Sequence, residues 1–478
     1  MTTDVGSMTA ARLSAAFASG EISPVEATEA ALDRIRRFDG AVNAYCLVDE
    51  DGARRAARAA EARWRERAPL SPIDGVPSSI KDLTMVAGLP TRKGSHTTSD
   101  APAAVDAPFA QRLREAGAVI LGKTTTPEFG WKGVTDSPLT GVTRNPWNTG
   151  RTSGGSSGGA AAAAALNMGV LHQGSDAGGS IRIPCGFCGV FGIKPSFGWV
   201  PQWPASAMTT LSHLGPIART VRDAAMMLDV VARPDDRDSY AATGFPADWS
   251  GFLDRPLKGL RVAYSPTLGY VEVRADVRAA TDRAVKLLET LGAAVTLADP
   301  GFADPIDAFN VLWHAGAAKI LDAVPPDLRG GMDPALVAIA EDGARTPMVR
   351  YMHALEIRAA VAETMARFHR DHDVLVTPML PLTAFAAGRN VPDDGRDWVC
   401  WTPFTFPFNM TQQPAASVPC GFGADGLPVG LHVVAAKWRD DLVMRVASAF
   451  EAACPQPFPS EPRAGNDAEQ KSGETTKN

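Results

Sequence analysis

Apolar and polar positions along the chain follow two periods, one typical of helices and one of buried strands. The segment from Ser23 to Asp39, SPVEATEAALDRIRRFD, opens with a serine N-cap, a proline at the first helical position and a glutamate three residues after the serine. Its apolar residues then recur at helical spacing. The pattern predicts a helix from Pro24 onward, and an Ala-Arg-rich run predicts a second helix over about 51–67.

Short runs rich in branched residues are separated by segments of helical pattern. Residues 118–124 (AVILGKT), 259–266 (GLRVAYSP) and 373–380 (DVLVTPML) have the length and composition of buried strands. Helical patterns lie before the first run, at 108–117, and after the second, at 277–292. This alternation predicts the α/β class, with a large mixed, mostly parallel β-sheet covered by helices on both faces.

The composition is that of an ordinary globular protein. The 478 residues include 47 basic and 53 acidic side chains, a formal net charge of −6. Nucleic acids and anionic membranes bind to a basic face, so we predict neither as a partner. The sequence has no charge-free apolar run long enough to span a membrane, and its Ala-rich helices are short. Its N-terminal segment lacks the features of a secretory signal. We therefore predict a cytoplasmic protein.

The six cysteines contain one close pair, Cys185 and Cys188, in the sequence CGFC. A structural zinc site needs four ligands, and neither a second pair nor a suitable histidine lies near this one in the sequence. We interpret the pair as buried thiols and predict no metal and no cofactor.

The stretch at 150–166, GRTSGGSSGGAAAAAAL, has three interpretations: a flexible linker, a phosphate-binding loop, or a loop that holds a catalytic hydroxyl. A linker is disfavoured because the stretch runs directly into a strongly helix-forming alanine run. A phosphate-binding loop is disfavoured because no lysine follows the glycines and their spacing does not fit a dinucleotide motif. A loop before a helix presents backbone N–H groups, which favours the catalytic interpretation.

A second Gly-Ser element follows at 174–184, GSDAGGSIRIP. Ser180 comes after Gly178 and Gly179, so the backbone before its hydroxyl carries no side chains. Consecutive N–H groups from Ala177 to Ser180 are placed to converge on an oxyanion. No histidine lies in a serine-hydrolase motif, but Lys81 in DGVPSSIKD follows an apolar-flanked segment. A buried, neutral lysine can act as the base through a bridging serine.

These three motifs, GVPSSIKD, TSGGSSGGAAAA and GSDAGGSIRIPCGFCGVFGIKPSFG, resemble the signature of the amidase signature hydrolases. The similarity continues through 124–137, 211–231 and 409–434, and is weakest from about 235 to 400. The resemblance implies the amidase signature fold and a Ser–cis-Ser–Lys triad. By motif position, Ser180 matches the nucleophile, Lys81 the base, and Ser156 the bridging serine in a cis peptide.

The resemblance also implies supporting roles around the triad. The N–H groups of Ala177, Gly178, Gly179 and Ser180, together with Asp176, match the family's oxyanion loop. Ser157 is expected to hydrogen bond to Lys81 or to Ser156. The aromatic segment WVCWTPFTFPFN is a candidate for the wall of an apolar substrate pocket. Four apolar residues are further candidates, with structural packing as the alternative for each: Trp131, Met208, Trp313 and Trp401.

The function that the resemblance implies is hydrolysis of a carboxylic amide through an acyl-enzyme, on a small, aryl or apolar substrate. Esters, carbamates and ureas are alternative substrates for the same scaffold. A glutamine-hydrolysing amidotransferase subunit is a second alternative, and a non-catalytic binding protein is a third, which the intact Lys81, Ser156 and Ser180 argue against. The expected partner is a small-molecule amide, and the family allows a homodimer.

We predict one domain over 1–460, because the sequence between 70 and 455 contains no linker-like segment. It would comprise N-terminal helices at 8–67, a catalytic core at about 70–235 and a helical, substrate-determining region at about 300–400. The polar segment 461–478 is predicted to be a disordered tail.

Overall fold

The computed structural model of the protein describes residues 5–244, 248–392 and 397–465. Most of the segment predicted to be a disordered tail, residues 466–478, therefore lies outside the described residues. At the start of that segment, Arg463 is hydrogen bonded to the body of the protein: its N–H donates to Pro146 O at 3.0 Å, and its carbonyl accepts from Thr149 N at 2.9 Å.

The chain folds into alternating helices and strands. The helices are α1 Ala10–Ser19, α2 Pro24–Val42, α3 Glu50–Arg65, α4 Pro108–Glu115, α5 Gly158–Ala165, α6 Arg182–Cys188, α7 Val221–Val231, α8 Ala275–Thr290, α9 Ile306–Asp322, α10 Pro334–Ala344, α11 Met348–Asp371, α12 Pro407–Met410 and α13 Asp440–Ala453. The strands are β1 Tyr45–Val48, β2 Pro77–Lys81, β3 Val119–Thr124, β4 Asp136–Ser137, β5 Gly141–Val142, β6 Arg144–Asn145, β7 Asn148–Thr152, β8 Leu171–Asp176, β9 Phe191–Lys194, β10 His213–Ala218, β11 Arg261–Tyr264, β12 Ala294–Leu297, β13 Val374–Pro378, β14 Ala415–Phe422 and β15 Pro428–Ala435.

The predicted start of α2 is confirmed by its cap. Glu26 N donates to Ser23 Oγ at 3.1 Å, and Ser23 N donates to Glu26 Oε2 at 2.8 Å. This reciprocal pair satisfies N–H groups that have no partner within the helix, so the first turn is fixed by local sequence. The second predicted helix is α3, which begins one residue earlier than expected, and the three predicted strands are β3, β11 and β13.

The main sheet has eleven strands within the described residues, in the order β1-β3-β2-β8-β10-β9-β14-β15-β13-β11-β12. The prediction of a large mixed sheet is confirmed, but "mostly parallel" is wrong, since four neighbouring pairs are parallel and six antiparallel. Crossover segments that contain α4 and α8 connect the parallel pairs β2–β3 and β11–β12. In contrast, β14 and β15 form a hairpin, and β10 lies antiparallel to both β8 and β9.

Helices cover both faces of the sheet, as predicted. Val374 and Val376 of β13 belong to a hydrophobic cluster with α7, α8 and α13, whereas Leu375 between them packs with α11 on the other face. Side chains along a strand alternate between faces, so each strand contributes to both cores. Helix α5 is buried along its whole length, which explains its composition of glycine and alanine alone.

The predicted helical region forms a cover over one edge of the sheet. Helices α9, α10 and α11 contribute to a separate hydrophobic cluster, which also includes Trp131 and Ala177 from the core. We call this segment, residues 306–371, the cover. In the described part of the chain, no helix is long and apolar enough to cross a membrane.

Candidate active site

The sheet brings the two sequence motifs with candidate chemistry to one edge. Strand β2 ends at Lys81 and strand β8 ends at Asp176, and these neighbouring strands are parallel. The carboxyl ends of parallel strands lie at the same edge of a sheet, where α/β proteins commonly place their functional sites. Ser156 in the loop before α5, and Ser180 just before α6, reach the same place.

Lys81 is fully buried and contacts hydroxyl groups rather than carboxylates. Its Nζ lies 2.6 Å from Ser156 Oγ, 2.9 Å from Ser157 Oγ and 3.0 Å from Ser175 Oγ. Burial holds the pKa of Lys81 well below its usual range, and the charge of Asp176 only partly opposes this effect. The predicted contact with Ser157 is confirmed, and a neutral amine in this position can accept a proton from a serine.

Ser156 lies in a segment where only glycine fits before it. The peptide bond between Gly155 and Ser156 is cis. A Cβ atom added at Gly155 would lie 2.4 Å from the backbone of Val134, well inside van der Waals contact. The glycine therefore allows the chain to approach Val134 closely, and this places the Ser156 hydroxyl against Lys81.

Asp176 organises the turn that leads to Ser180. Its carboxylate accepts hydrogen bonds from Gly179 N at 2.7 Å and Ile181 N at 3.2 Å. Burial alone would raise the pKa of Asp176, but the guanidinium of Arg182, 2.9 Å away, outweighs it and holds the pKa well below its usual range. Asn409 Nδ2 donates to the same carboxylate at 2.8 Å.

The turn leaves backbone N–H groups available beside Ser180. The Gly179 N–H is already donated to Asp176, so its predicted place among the oxyanion donors is wrong: it holds the turn. Within the described residues, the N–H groups of Ala177, Gly178 and Ser180 have no hydrogen-bond acceptor. Three neighbouring donors of this kind can stabilise a developing negative charge.

Ser180 opens onto a cavity of about 620 Å³. Ser156, Ser175 and Ala177 also line this cavity, and the Ser180 carbonyl accepts a hydrogen bond from Ser157 N at 3.1 Å. The volume falls in the range of pockets that take small organic ligands.

The four residues predicted to line the pocket divide into two pairs. Met208 and Trp313 do line the cavity. Trp131 and Trp401 are not among its lining residues, and for them the packing alternative holds. The Trp131 indole donates to Asp333 in the cover at 3.1 Å, and Trp401 stacks on Phe187 with ring centroids 5.8 Å apart.

Sequence reasoning missed several residues that complete the site. Ser175 contacts Lys81, and Gln173 Oε1 accepts from Lys81 N at 2.9 Å. Gln173 and Ser175 are two positions apart on β8, so their side chains lie on the same face of the strand. Strand periodicity could therefore have identified them. Thr405, which donates to Gly178 O, and Asn409 come from a distant segment with no such local signal.

Cys185 and Cys188 are both buried, as predicted. Burial raises the pKa of each thiol.

Comparison with known proteins gives a consistent result. The chain matches the family model Amidase over residues 26–444. It is 40% identical over 460 residues to an acylamidase of Rhodococcus erythropolis, with 94% of this chain and 96% of that protein covered. It is 34% identical over 471 residues to a glutamyl-tRNA(Gln) amidotransferase subunit from Symbiobacterium thermophilum, with 93% and 96% covered.

A solved structure agrees with these relatives. A bacterial aryl acylamidase of the amidase signature family superimposes with a TM-score of 0.88 at 28% identity, covering 95% of this chain and 98% of that one. The chain therefore belongs to the amidase signature family and is an amide-hydrolysing enzyme.

Proposed function

We propose that the enzyme hydrolyses carboxylic amides by acyl transfer to Ser180, with Lys81 as the base and Ser156 as the proton relay. The observation that carries the proposal is the environment of Lys81. Its Nζ is within hydrogen-bond distance of three serine hydroxyls, and within the described residues it has no ion pair. A lysine held in this way is driven towards its neutral, proton-accepting form.

The proposed reaction begins with two coupled proton transfers. Neutral Lys81 Nζ accepts the proton of Ser156 Oγ, which in turn accepts the proton of Ser180 Oγ. Ser180 Oγ attacks the amide carbonyl carbon, and the resulting oxyanion accepts hydrogen bonds from the N–H groups of Ala177, Gly178 and Ser180. The C–N bond then breaks, and the leaving nitrogen takes a proton back through Ser156. A water molecule, activated by the same relay, hydrolyses the acyl-enzyme.

The cavity supports an apolar acyl or aryl substrate. Much of its wall is apolar, with contributions from Leu83, Phe129, Met208, Trp313, Ile320 and Val324. Such walls bind an aryl or alkyl group through the hydrophobic effect. The similarity to an acylamidase and an aryl acylamidase points in the same direction. Esters and carbamates react through the same steps, and we favour amides because the family hydrolyses them.

Glutamine is a poorer match for this cavity. Free glutamine carries both an α-carboxylate, which a lysine can bind, and an α-ammonium group, whose recognition calls for an acidic side chain. Among the described residues, no aspartate or glutamate lines the cavity. We therefore place the enzyme with stand-alone amidases rather than with the amidotransferase subunits it also resembles.

A fluorophosphonate probe tests the proposal without knowledge of the substrate. We expect mass spectrometry to find one adduct, on Ser180, and expect Ser180→Ala to abolish labelling. Ser417→Ala is a matched control, because Ser417 is buried in the same sheet and its hydroxyl has no hydrogen-bond partner in the described part of the protein. Labelling of a different serine in the folded protein, or no labelling, would contradict the assignment.

A further inference from the structure

The cavity contains two cationic side chains and, among the described residues, no anionic one. Lys93 and Lys319 both line it and come from different regions of the chain: Lys93 lies in the loop after β2, and Lys319 lies in α9 of the cover. Two buried lysines near the site lie beside a carboxylate, in the pairs Lys123–Asp82 and Lys132–Asp333. In the described part of the chain, neither Lys93 nor Lys319 has an ion pair or a side-chain hydrogen bond.

The backbone holds Lys93 in place from both sides. Lys93 N donates to Asp82 O at 3.1 Å, and Lys93 O accepts from Phe129 N at 2.7 Å. Its φ of 53° lies in the left-handed region, which a lysine rarely adopts, and Gly94 follows with a φ of 64°. Such strained positions cluster at functional sites, where surrounding contacts enforce them. The Lys93 backbone is thus tied to the segments that carry the cavity residues Leu83 and Phe129.

The local carboxylate, Asp82, compensates the charge of Lys93 only in part. Asp82 is the acidic group whose charge acts on Lys93, but its Oδ1 is already paired with Lys123 Nζ at 2.9 Å. Lys123 also donates to Pro90 O and Thr91 Oγ1, so it is fully engaged at this point. Burial lowers the pKa of the half-buried Lys93, which means that its ammonium group is incompletely solvated. An anionic ligand in the cavity would supply the missing partner.

We propose that Lys93, assisted by Lys319 at the rim, binds a carboxylate of the substrate, so that the enzyme prefers amides carrying an anionic group away from the scissile bond. This inference rests on the proposed amidase function and deepens it. The apolar wall would hold the body of the substrate, and the lysines would select the charge at its far end. A charge-assisted hydrogen bond in a partly buried site corresponds to about a tenfold or larger preference.

Three matched substrates test this preference. Glutaryl, pentanoyl and 4-(trimethylammonio)butanoyl 4-nitroanilides share the leaving group and differ in the charge at the end of the acyl chain. We expect kcat/KM to be highest for the glutaryl compound, about tenfold above the pentanoyl compound, and lowest for the cationic one. A neutral compound that equals or exceeds the glutaryl compound would overturn the inference.

Variants assign the preference to a residue. Lys93→Met should reduce the glutaryl-to-pentanoyl ratio towards one, and Lys93→Glu should favour the cationic compound. Lys286→Met removes an exposed lysine of α8 that does not line the cavity, and should leave the ratio unchanged. If the wild-type enzyme prefers the glutaryl compound but Lys93→Met retains the full ratio, the assignment to Lys93 is overturned.

A binding measurement separates failure of this inference from failure of the proposed function. Calorimetric titration with 4-phenylbutyrate and 4-phenylbutan-1-ol compares an anion with a neutral analogue that the enzyme cannot hydrolyse, so it requires no turnover. We expect the carboxylate to bind about tenfold more tightly, and Lys93→Met to remove the difference. Equal binding of the two compounds, together with a fluorophosphonate adduct on Ser180, would reject the anion site and retain the acyl-transfer mechanism. Absence of the adduct would reject the mechanism itself, whatever the titration shows.

Discussion

The reaction centre and the cover that faces it are built in different ways. The reaction centre consists of strand ends and glycine-rich loops, and helices α5 and α6, which follow these loops, are buried at every residue. The cover is made of helices that are buried on one side only. Its longest helix, α11, buries just Ala354, Val361 and Met365 among its 24 residues.

The two regions are also joined by few polar contacts. Asp333 at the start of α10 donates its N–H to Glu128 Oε2 and accepts from Lys132 Nζ, and Trp313 Nε1 donates to Trp131 O. Close packing around the reaction centre leaves little freedom to change it, whereas a helical wall tolerates substitution. The difference suggests a division of labour in which the sheet edge supplies the chemistry and the cover and loop residues around the cavity choose the substrate.

The largest effect is expected when the proposed base, Lys81, is removed from the reaction centre. Lys81→Met keeps a side chain of similar size but removes the proton acceptor, and kcat/KM should fall by about 10⁴-fold or more. In the wild-type enzyme, kcat/KM should fall as the pH drops through the lowered pKa of Lys81, because the protonated ammonium cannot accept a proton. Steady-state kinetics across pH measure both effects.

The stability of the Lys81→Met protein against unfolding provides the control for this substitution. The folded state disfavours the Lys81 ammonium, so between its lowered pKa and the ordinary value of 10.5 the unfolded state binds more protons, and stability rises with pH. The lysine therefore opposes folding at neutral pH, and Lys81→Met should unfold at a similar or higher denaturant concentration. An inactive variant that is also strongly destabilised would not support the assignment of Lys81 as the base.

A smaller loss is expected when the proposed relay, Ser156, is removed but the proposed base is kept. Ser156→Ala deletes the hydroxyl 2.6 Å from Lys81 Nζ, while Ser157 and Ser175 still contact the amine. Water can replace part of the relay, so kcat should fall by about 10²- to 10³-fold. Single-turnover kinetics with a 4-nitroanilide would measure this loss. A Ser156→Ala enzyme within tenfold of the wild type would remove Ser156 from the mechanism.

The same division explains how much could be predicted from the sequence. The α2 cap and the two Gly-Ser loops depend on residues close together in the chain, so local patterns and motif resemblance were enough to predict Ser156 and Ser180 as candidates. Contacts between distant segments leave no such trace. Trp131 binds Asp333 across 202 positions, and nothing near Trp131 in sequence indicates that its indole points away from the cavity. The antiparallel pairing of β10 was missed for the same reason.

An intermediate effect is expected at the junction between the two regions. Glu128 is fully buried, accepts from Ser95 Oγ and Asp333 N at 2.6 Å each, and precedes Phe129 and Gly130 in the cavity wall. Glu128→Ala leaves the Asp333 N–H without an acceptor, while Ser95 Oγ keeps Thr97 Oγ1 as a partner at 2.8 Å. The lost contact should loosen the cover and raise KM about tenfold with a smaller change in kcat. Hydrogen exchange in α10 should increase in parallel.

The conservative variant distinguishes positioning from a chemical role for Glu128. Burial raises the pKa of Glu128, so a neutral side chain is compatible with the site. In Glu128→Gln, the amide carbonyl can accept from Asp333 N while the amide N–H donates to Ser95 Oγ. KM should therefore stay within about threefold of the wild type. If Gln is as damaging as Ala, the negative charge matters and the positioning role is wrong.

The smallest effect is expected at the face of the cavity that contacts the cover. Met208 lines the cavity and packs closely against Gly316 of α9, where an added Cβ would lie 2.5 Å from its Sδ. Met208→Ala enlarges the pocket, so kcat/KM for a bulky acyl 4-nitroanilide should rise about threefold relative to acetyl 4-nitroanilide. The exposed Met352 of α11 offers a matched Met→Ala control that should leave this ratio unchanged.

Because Met208 shapes the wall and does not take part in proton transfer, the labelling rate of Ser180 by a small fluorophosphonate should change less than the substrate ratio. A large and uniform loss for all substrates and for the probe would show instead that the wall and the reaction centre are not separable.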